Sequence, residues 1–136
     1  MLDAAQQVVG KAAAGDAATR RWLERLNIWF VPLANPDGLH AFLFKDRFYG
    51  RKNGRDRHPI SGQNMDRGVD LNRNYPFRWN TDTKRASSGD EKSRYYRGPK
   101  AGSEPETRAI MALARRERFA GLISFHTGTV ALLAPY

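Results

Sequence analysis

The fold is decided by residues 28–38, which read Ile-Trp-Phe-Val-Pro-Leu-Ala-Asn-Pro-Asp-Gly. The first six residues are all apolar and rich in aromatic and β-branched side chains, which is typical of a strand covered on both faces. The last four are a turn signal, so we expect the strand to lead into a loop. A second strand-like run, 121–126, ends at His126.

The rest of the chain surrounds these two runs with helices and loops. Apolar spacing predicts a helix over 2–26, broken near 14–16, where Asp16 can cap the second half. The sequence Ser-Glu-Pro-Glu at 103–106 has the form of a capping box, and it predicts a second helix that ends near residue 118 with several arginines in its last turn.

This order of elements predicts an α/β protein. The two strands are parallel if the chain crosses between them through the helix at 103–118. We expect one domain over 1–136, with long loops at 39–76 and 81–100. Ligands of such sheets collect at the carboxyl ends of strands, where both 35–38 and His126 fall.

Composition narrows the classes of function. The 136 residues contain 23 Lys and Arg against 14 Asp and Glu, a net charge of +9, and no cysteine. Disulfides, thiolate nucleophiles and cysteine zinc sites are therefore excluded. The basic residues are dispersed and form no recognised module, so we expect no nucleic acid partner and keep a nucleic-acid-binding domain as a weaker alternative that rests on charge alone. No run approaches the roughly 18 apolar residues of a membrane span, so we expect no membrane partner.

Four motifs occur in a specific order. They are Asn-Pro-Asp-Gly at 35–38, Gly-Val-Asp-Leu-Asn-Arg-Asn-Tyr at 68–75, Tyr-Arg-Gly-Pro at 96–99 with Ser-Glu-Pro-Glu-Thr at 103–107, and Ser-Phe-His at 124–126. This set resembles the zinc metallocarboxypeptidases of the carboxypeptidase A/B family. The resemblance implies a partial α/β/α sandwich with a mostly parallel or mixed sheet, the phosphorylase/hydrolase-like core of that family in truncated form. It also implies zinc-dependent removal of C-terminal residues from peptides.

The resemblance assigns a role to four residues. His126 would be a ligand of the catalytic zinc, which two histidines and one glutamate hold in this family. Asn72 and Arg73 would bind the terminal carboxylate of the substrate, because a guanidinium can donate two hydrogen bonds to one carboxylate. Arg51 would stabilise the oxyanion that develops on the scissile carbonyl.

The role of Arg51 has two competitors in the same segment. The family usually carries a bulky aromatic residue directly before this arginine, whereas Gly50 stands there in this sequence and Tyr49 lies one residue earlier. Arg47 and Arg55 therefore stay open as alternatives. Asp70 and Asn74, which flank the Asn72–Arg73 pair, are interpreted as supports for the loop geometry.

Other parts of the family's active site do not occur in the sequence. No His-x-x-Glu motif is present, because Leu, Ser and Thr stand three places after the three histidines, and the last acidic residue is Glu117. We therefore expect a central fragment that lacks the first zinc motif and the catalytic glutamate. Zinc would be bound in the complete protein, and the isolated chain would hold it weakly and be inactive.

Two further expectations follow. An alternative function is that of an inactive relative, which binds the C-terminal carboxylate of peptides through Arg73 without cleaving them. A sheet protein without its outer elements would also expose apolar surface, so the chain could self-associate. The sequence leaves the compartment and the preferred terminal residue of the substrate open.

Overall fold

The computed structural model describes residues 2–44, 50–54, 68–80 and 86–126. Within these ranges the helices are α1 (Leu2–Ala13), α2 (Ala17–Leu23), α3 (Pro36–Phe44) and α4 (Pro105–Glu117), together with a 3-10 turn at Leu71–Arg73. The chain divides into two compact units, Met1–Pro32 with Ala120–Tyr136, and Leu33–Phe119. None of the described helices has the length and apolarity that crossing a bilayer requires. The prediction of one domain over 1–136 stays a prediction.

The broken N-terminal helix is confirmed. The first helix, α1, ends at Ala13, and Asp16 begins α2 as its N-cap by accepting a hydrogen bond from the Thr19 amide at 2.7 Å. Between the two helices Gly15 has a φ of +88°, which glycine adopts at little cost. The Arg20 Nε also donates to the Ala12 carbonyl at 3.0 Å, so the two helices are tied across the turn.

The two predicted strands, 28–33 and 121–126, are not confirmed. Neither run is a strand, and most of their large apolar side chains are exposed, from 37% at Phe30 to 75% at Ile123. β pairing in the described residues is limited to two isolated bridges, Lys52 with Asp70 and Ser88 with Tyr96. An interior strand of a parallel sheet is stabilised by neighbouring strands and by helices on both faces, and these exposed runs have not acquired that cover.

A helix occurs where the sequence predicted the start of a long loop. Helix α3 begins at Pro36, and the Asn35 side chain accepts the Gly38 amide at 2.9 Å in the manner of an N-cap. Proline at the first helical position and a cap before it are therefore a helix start here, and not only a turn. Arg47, Tyr49 and Arg55 lie outside the described residues.

The core of the second unit is largely polar. Among the described residues Val69 and Tyr96 are the buried apolar side chains. Beside them lies a set of buried side chains that we call the polar cluster: Asn53, Asn74, Ser103 and Glu104.

Hydrogen bonds within the polar cluster join three separate segments of the chain. The Asn74 amide nitrogen donates to the Ser103 hydroxyl at 2.9 Å, and its amide oxygen accepts from the Glu104 backbone at 3.1 Å. The carboxylate of Glu104, fully buried, accepts from the Ser103 hydroxyl at 2.6 Å and from the Asn53 amide at 2.8 Å. A buried carboxylate is tolerated when donors replace its lost water. The cluster thus fixes 53, 74 and 103–104 to one another.

The start of α4 differs in detail from the predicted capping box. The helix has Glu104 as its N-cap and Pro105 as its first residue, and no side chain caps it. The Ser103 hydroxyl is instead bonded to Glu104, and the side chain of Glu106 lies 3.3 Å from the Asn53 amide nitrogen. Both predicted capping side chains are therefore engaged in the polar cluster.

We expect Gly98→Ala to destabilise the second unit more than Gly102→Ala. Both glycines have positive φ, +86° and +64°, so each substitution costs about 1–2 kcal/mol in backbone strain. At Gly98 a Cβ would also lie 2.6 Å from the Ser103 Oγ and 2.7 Å from the Asn74 Nδ2, whereas at Gly102 the nearest atom is 4.0 Å away.

Amide hydrogen exchange at Asp70, whose N–H bonds the Tyr96 carbonyl at 2.8 Å, measures the difference. The displaced hydrogen bonds should add about 1–3 kcal/mol to the loss at Gly98. Equal protection of the Asp70 amide in the two variants would show that the polar cluster does not stabilise this unit.

Candidate functional site

The 3-10 turn at Leu71–Arg73 carries Asn72 and Arg73, the two residues that are predicted to bind a terminal carboxylate. Asp70 caps this turn by accepting a hydrogen bond from the Asn72 amide at 3.1 Å, and its own amide is bonded to the Tyr96 carbonyl. The side chain of Asn72 is exposed, and the side chain of Arg73 is 29% exposed. Residues 72 and 73 are therefore held by a buried backbone and can be reached from solvent.

Asp70 also brings Arg51 and Arg73 to one place. Its Oδ2 atom lies 2.7 Å from the Nε of Arg51, a short charge-assisted hydrogen bond, and 3.9 Å from the Nε of Arg73. The side chain of Asp70 is 3% exposed, while that of Arg51 is 33% exposed. We call Arg51 and Arg73 the arginine pair. A single buried carboxylate therefore lies between two guanidinium groups that reach the surface.

Arg51 is held from a second side by an aromatic ring. The centre of its guanidinium lies 4.8 Å from the centroid of the Tyr95 ring, within the range of a cation–π contact. Its backbone is fixed as well, because the Asn35 side chain donates to the Arg51 carbonyl at 3.3 Å and Lys52 pairs with Asp70 in a β-bridge.

The glycine before Arg51 has a local explanation. A Cβ at Gly50 would lie 3.0 Å from the Cβ of Phe42 in α3 and 3.3 Å from the Gly38 carbonyl. Contacts of that length are tighter than side chains ordinarily make, so α3 occupies the space that a larger residue at position 50 would need.

Arg73 is held less completely than Arg51. Its Nε is buried and has no hydrogen-bond partner among the described residues, and one of its Nη atoms makes a long contact of 3.4 Å with the Asn72 carbonyl. A buried guanidinium nitrogen without an acceptor is costly. Because the side chain as a whole is 29% exposed, the part of it that an acceptor in solvent can reach does not include Nε.

The electrostatics of the site leave an excess of positive charge. Burial raises the pKa of the Asp70 carboxyl above its ordinary value, while Arg51, Arg73 and the Asn72 amide act in the opposite direction. Even when it is ionised, one carboxylate cannot balance two guanidiniums. The arrangement is suited to binding an anion.

The predicted zinc ligand, His126, belongs to the other unit. Its side chain is exposed, and its Nε2 lies 3.3 Å from the Ser124 hydroxyl. Among the described residues there is no group of three His, Cys, Asp or Glu side chains that could hold a metal ion. Since a catalytic zinc needs about three protein ligands, these residues do not by themselves form a zinc site.

Sequence reasoning identified the arginines but missed part of their surroundings. The sequence indicates Asp70 only as a support for the loop geometry, and it gives no role to Tyr95. The spacing Asp-x-Asn-Arg contains a signal for Asp70, since an aspartate side chain commonly accepts the backbone amide two residues further on and so caps a turn. No local pattern links Tyr95 to Arg51, which lies 44 residues earlier in the chain. The roles assigned to Arg51, Asn72, Arg73 and His126 stay predictions.

Comparison with known proteins finds relatives that are named as carboxypeptidases. A sequence profile described as zinc carboxypeptidase matches residues 1–136. Carboxypeptidase A6 of Mus musculus is 34% identical over 123 residues, which are 89% of this chain and 26% of the relative. Mast cell carboxypeptidase A of Rattus norvegicus is 37% identical over 120 residues, which are 84% of this chain and 26% of the relative.

A solved structure is also similar. The carboxypeptidase A from Helicoverpa armigera is 38% identical, with a TM-score of 0.49, over 65% of this chain and 20% of that one. The chain thus spans about a quarter of the length of the curated relatives that it matches.

We expect Arg51→Gln to raise the pKa of the Asp70 carboxyl further, because it removes the closest cation. Arg73→Gln should raise it less, since its Nε lies 3.9 Å away instead of 2.7 Å. Carbon-detected NMR of the carboxyl group during a pH titration measures both effects. Arg115→Gln, on the exposed side of α4, is the control and should leave the pKa of Asp70 unchanged. A larger effect of Arg73 would contradict the geometry.

The same raised pKa predicts the pH dependence of stability. In the folded chain Asp70 binds its proton more readily than in the unfolded chain, where the ordinary value is 3.8. Its contribution to the free energy of unfolding is therefore complete below that value and is lost as the pH rises through the folded pKa. Chemical denaturation measures this contribution as the free energy of unfolding of the original chain minus that of Asp70→Asn. This difference should shift in favour of the original chain as the pH is lowered. A constant difference across the titration would exclude it.

Proposed function

The chain belongs to the zinc carboxypeptidase family, and from that premise we propose that the complete protein is a zinc-dependent metallocarboxypeptidase that removes C-terminal residues from peptides. The part described here would supply the recognition of the substrate's terminal carboxylate. The observation that carries this proposal is the arginine pair, two partly exposed guanidiniums around one buried carboxylate.

Arg73 and Asn72 are proposed to bind the terminal carboxylate. The side chain of Asn72 is exposed and can donate through its amide, and the guanidinium of Arg73 can donate two parallel hydrogen bonds. Selective binding of a chain end explains why such an enzyme would act at the last residue, because an internal peptide bond offers no carboxylate at that position.

Arg51 is proposed to stabilise negative charge on the scissile carbonyl oxygen. A donor contributes most when it is oriented before the reaction starts, and Arg51 has both a buried carboxylate and an aromatic ring to orient it. The Nε atoms of Arg51 and Arg73 lie 2.7 Å and 3.9 Å from the same Asp70 oxygen. This closeness supports binding of the terminal carboxylate and of the last peptide carbonyl of one substrate.

The fold of the complete protein is also a proposal. We infer that 28–33 and 121–126 are strands of a mostly parallel or mixed sheet within an α/β/α sandwich. Their mostly apolar composition and their exposure in the present chain both support this inference, since such runs are stabilised by cover on two faces. Until that cover is present, the same surfaces can cause self-association.

His126 is proposed as one ligand of the zinc that the family name implies. Its exposed imidazole at the end of the apolar run 121–126 supports the assignment. The described residues contain no set of three ligands, so the rest of the site would have to come from other parts of the protein.

A second candidate is an inactive member of the family that binds carboxylate-ended peptides without cleaving them. It rests on the same arginine pair, because recognition of a carboxylate by guanidinium groups requires no metal. Assay of the full-length protein with zinc discriminates between the two. Release of the terminal amino acid would support the enzyme, and peptide binding without release would support the inactive relative.

We expect a short peptide with a free C-terminal carboxylate to bind this chain about tenfold or more tightly than its C-terminal amide, since the carboxylate adds charge-assisted hydrogen bonds. N-acetyl-Ala-Ala-Phe and its amide are suitable probes for calorimetry. Arg73→Gln should remove the preference, and Arg73→Lys should restore only part of it, because an ammonium cannot donate in the same planar fork.

Arg115→Gln is the control for that experiment, because it removes the same charge from an exposed part of α4. It should leave the carboxylate preference intact. If Arg73→Gln and Arg115→Gln reduce binding equally, the effect comes from net charge and the proposed role of Arg73 is wrong.

We also expect the isolated chain to bind zinc only weakly, because a single histidine cannot replace a set of three ligands. Titration with zinc in a calorimeter measures this. His126→Ala should change the result little. A submicromolar site that disappears in the His126→Ala variant would overturn the expectation.

A further inference from the structure

We propose that Asp70 and Tyr95 are positioning residues, which orient Arg51 and Arg73 so that their outer nitrogens meet a bound carboxylate or carbonyl oxygen. The inference rests on the proposed function of the arginine pair. It adds that the strength of peptide binding depends on the buried carboxylate of Asp70, although this group and the terminal carboxylate of the peptide are both negative.

The contact through Nε determines how the guanidinium of Arg51 is oriented. Asp70 accepts from Nε at 2.7 Å, so within the part of the chain that the structure describes the two Nη nitrogens remain for another acceptor. The Tyr95 ring lies 4.8 Å from the guanidinium centre and limits rotation about the axis that the Nε bond leaves free. Two contacts from different directions are needed to fix a planar group, and Arg51 has both.

Asp70 is itself rigid, which is a requirement for a positioning residue. It is 2% exposed, its amide is bonded to the Tyr96 carbonyl at 2.8 Å, and its second carboxylate oxygen accepts the Asn72 amide at 3.1 Å. Both oxygens are therefore engaged, one by the backbone and one by Arg51. A movement of this carboxylate would break two hydrogen bonds at once.

Tyr95 is also fixed by its surroundings. Its amide donates to the Ser93 hydroxyl at 3.2 Å, and its carbonyl accepts the Ser88 amide at 3.1 Å. The neighbouring Tyr96 is buried and pairs with Ser88 in a β-bridge. The ring that faces Arg51 thus extends from a backbone that is held on both sides.

The shared oxygen links the two arginines. Arg73 lies 3.9 Å from the same Oδ2 that Arg51 contacts at 2.7 Å, and the buried Nε of Arg73 has no hydrogen-bond acceptor in the described residues. The charge of Asp70 lowers the repulsion between two guanidiniums that would otherwise separate. Loss of this charge should therefore displace both members of the arginine pair.

This role can be distinguished from simple charge neutralisation. If Asp70 only reduces the positive potential of the site, its removal should strengthen the binding of an anionic peptide. If Asp70 orients the arginine pair, its removal should weaken the binding even though the site becomes more positive. The two explanations predict changes of opposite sign.

The experiment compares the affinities of the 136-residue chain and of its Asp70→Asn variant for N-acetyl-Ala-Ala-Phe. Asparagine retains an oxygen that can cap the turn at Leu71–Arg73, so the turn should persist. We expect about a tenfold loss of affinity from the lost charged hydrogen bond. Asp3→Asn in α1 removes the same charge at an exposed site and is the matched control, with no loss expected. An equal or higher affinity of Asp70→Asn would overturn the proposal.

The aromatic contact is tested by a pair of variants at one position. Tyr95→Phe keeps the ring face and should leave the affinity within about twofold, whereas Tyr95→Leu removes the cation–π contact and should reduce it about threefold to tenfold. Equal affinities of the two variants would exclude Tyr95 as a positioning residue.

A readout without peptide separates this proposal from the proposed function. In the free chain the Arg51 Nε–H should give a resolved NMR signal that shifts as Asp70 titrates, and the signal should be lost in Asp70→Asn. Its presence unchanged in that variant would overturn the positioning role. If the signal behaves as expected but the original chain binds the peptide and its amide equally, only the proposed function fails.

Discussion

The buried carboxylate of Asp70 is the constraint on which the candidate site depends. A carboxylate that is removed from water must be stabilised by cations or by hydrogen-bond donors, and here it receives one backbone amide and the guanidiniums of Arg51 and Arg73. The need to stabilise one anion therefore brings together two cations that would repel each other elsewhere. These cations remain partly exposed, so the same interaction that satisfies the interior creates an anion-binding surface.

The second unit uses a polar core to place this carboxylate. Hydrogen bonds among Asn53, Asn74, Ser103 and Glu104 connect segments that are far apart in the chain. Such a network has strict directional requirements, and it contributes positional specificity more than net stability, because the desolvation of polar groups offsets much of the gain. A site that must orient two guanidiniums benefits from this kind of interior.

Two apolar runs of the sequence, unlike the polar cluster, are not buried. The runs at 28–33 and 121–126 have the composition of interior strands, yet they are exposed in the described structure. A strand in a parallel sheet is formed by its neighbours as much as by its own residues, so composition alone cannot produce it. The chain spans about a quarter of the length of its curated relatives, and the sheet stays a proposal about the complete protein.

What the sequence by itself determined is local or depends on ordered motifs. It predicted the break between α1 and α2 and the Asp16 cap, because those depend on neighbouring residues. It also identified the family, because four motifs in order are specific. It did not predict the start of α3 at Pro36, since Asn-Pro-Asp-Gly favours a turn and a capped helix alike.

Only the tertiary structure decided how these residues meet. The hydroxyl of Ser103 joined the polar cluster instead of capping α4, the ring of Tyr95 met Arg51, and one oxygen of Asp70 came to lie between two arginines. Contacts between residues far apart in the chain leave no periodic signal in sequence. They are selected by which buried polar groups can satisfy one another in three dimensions.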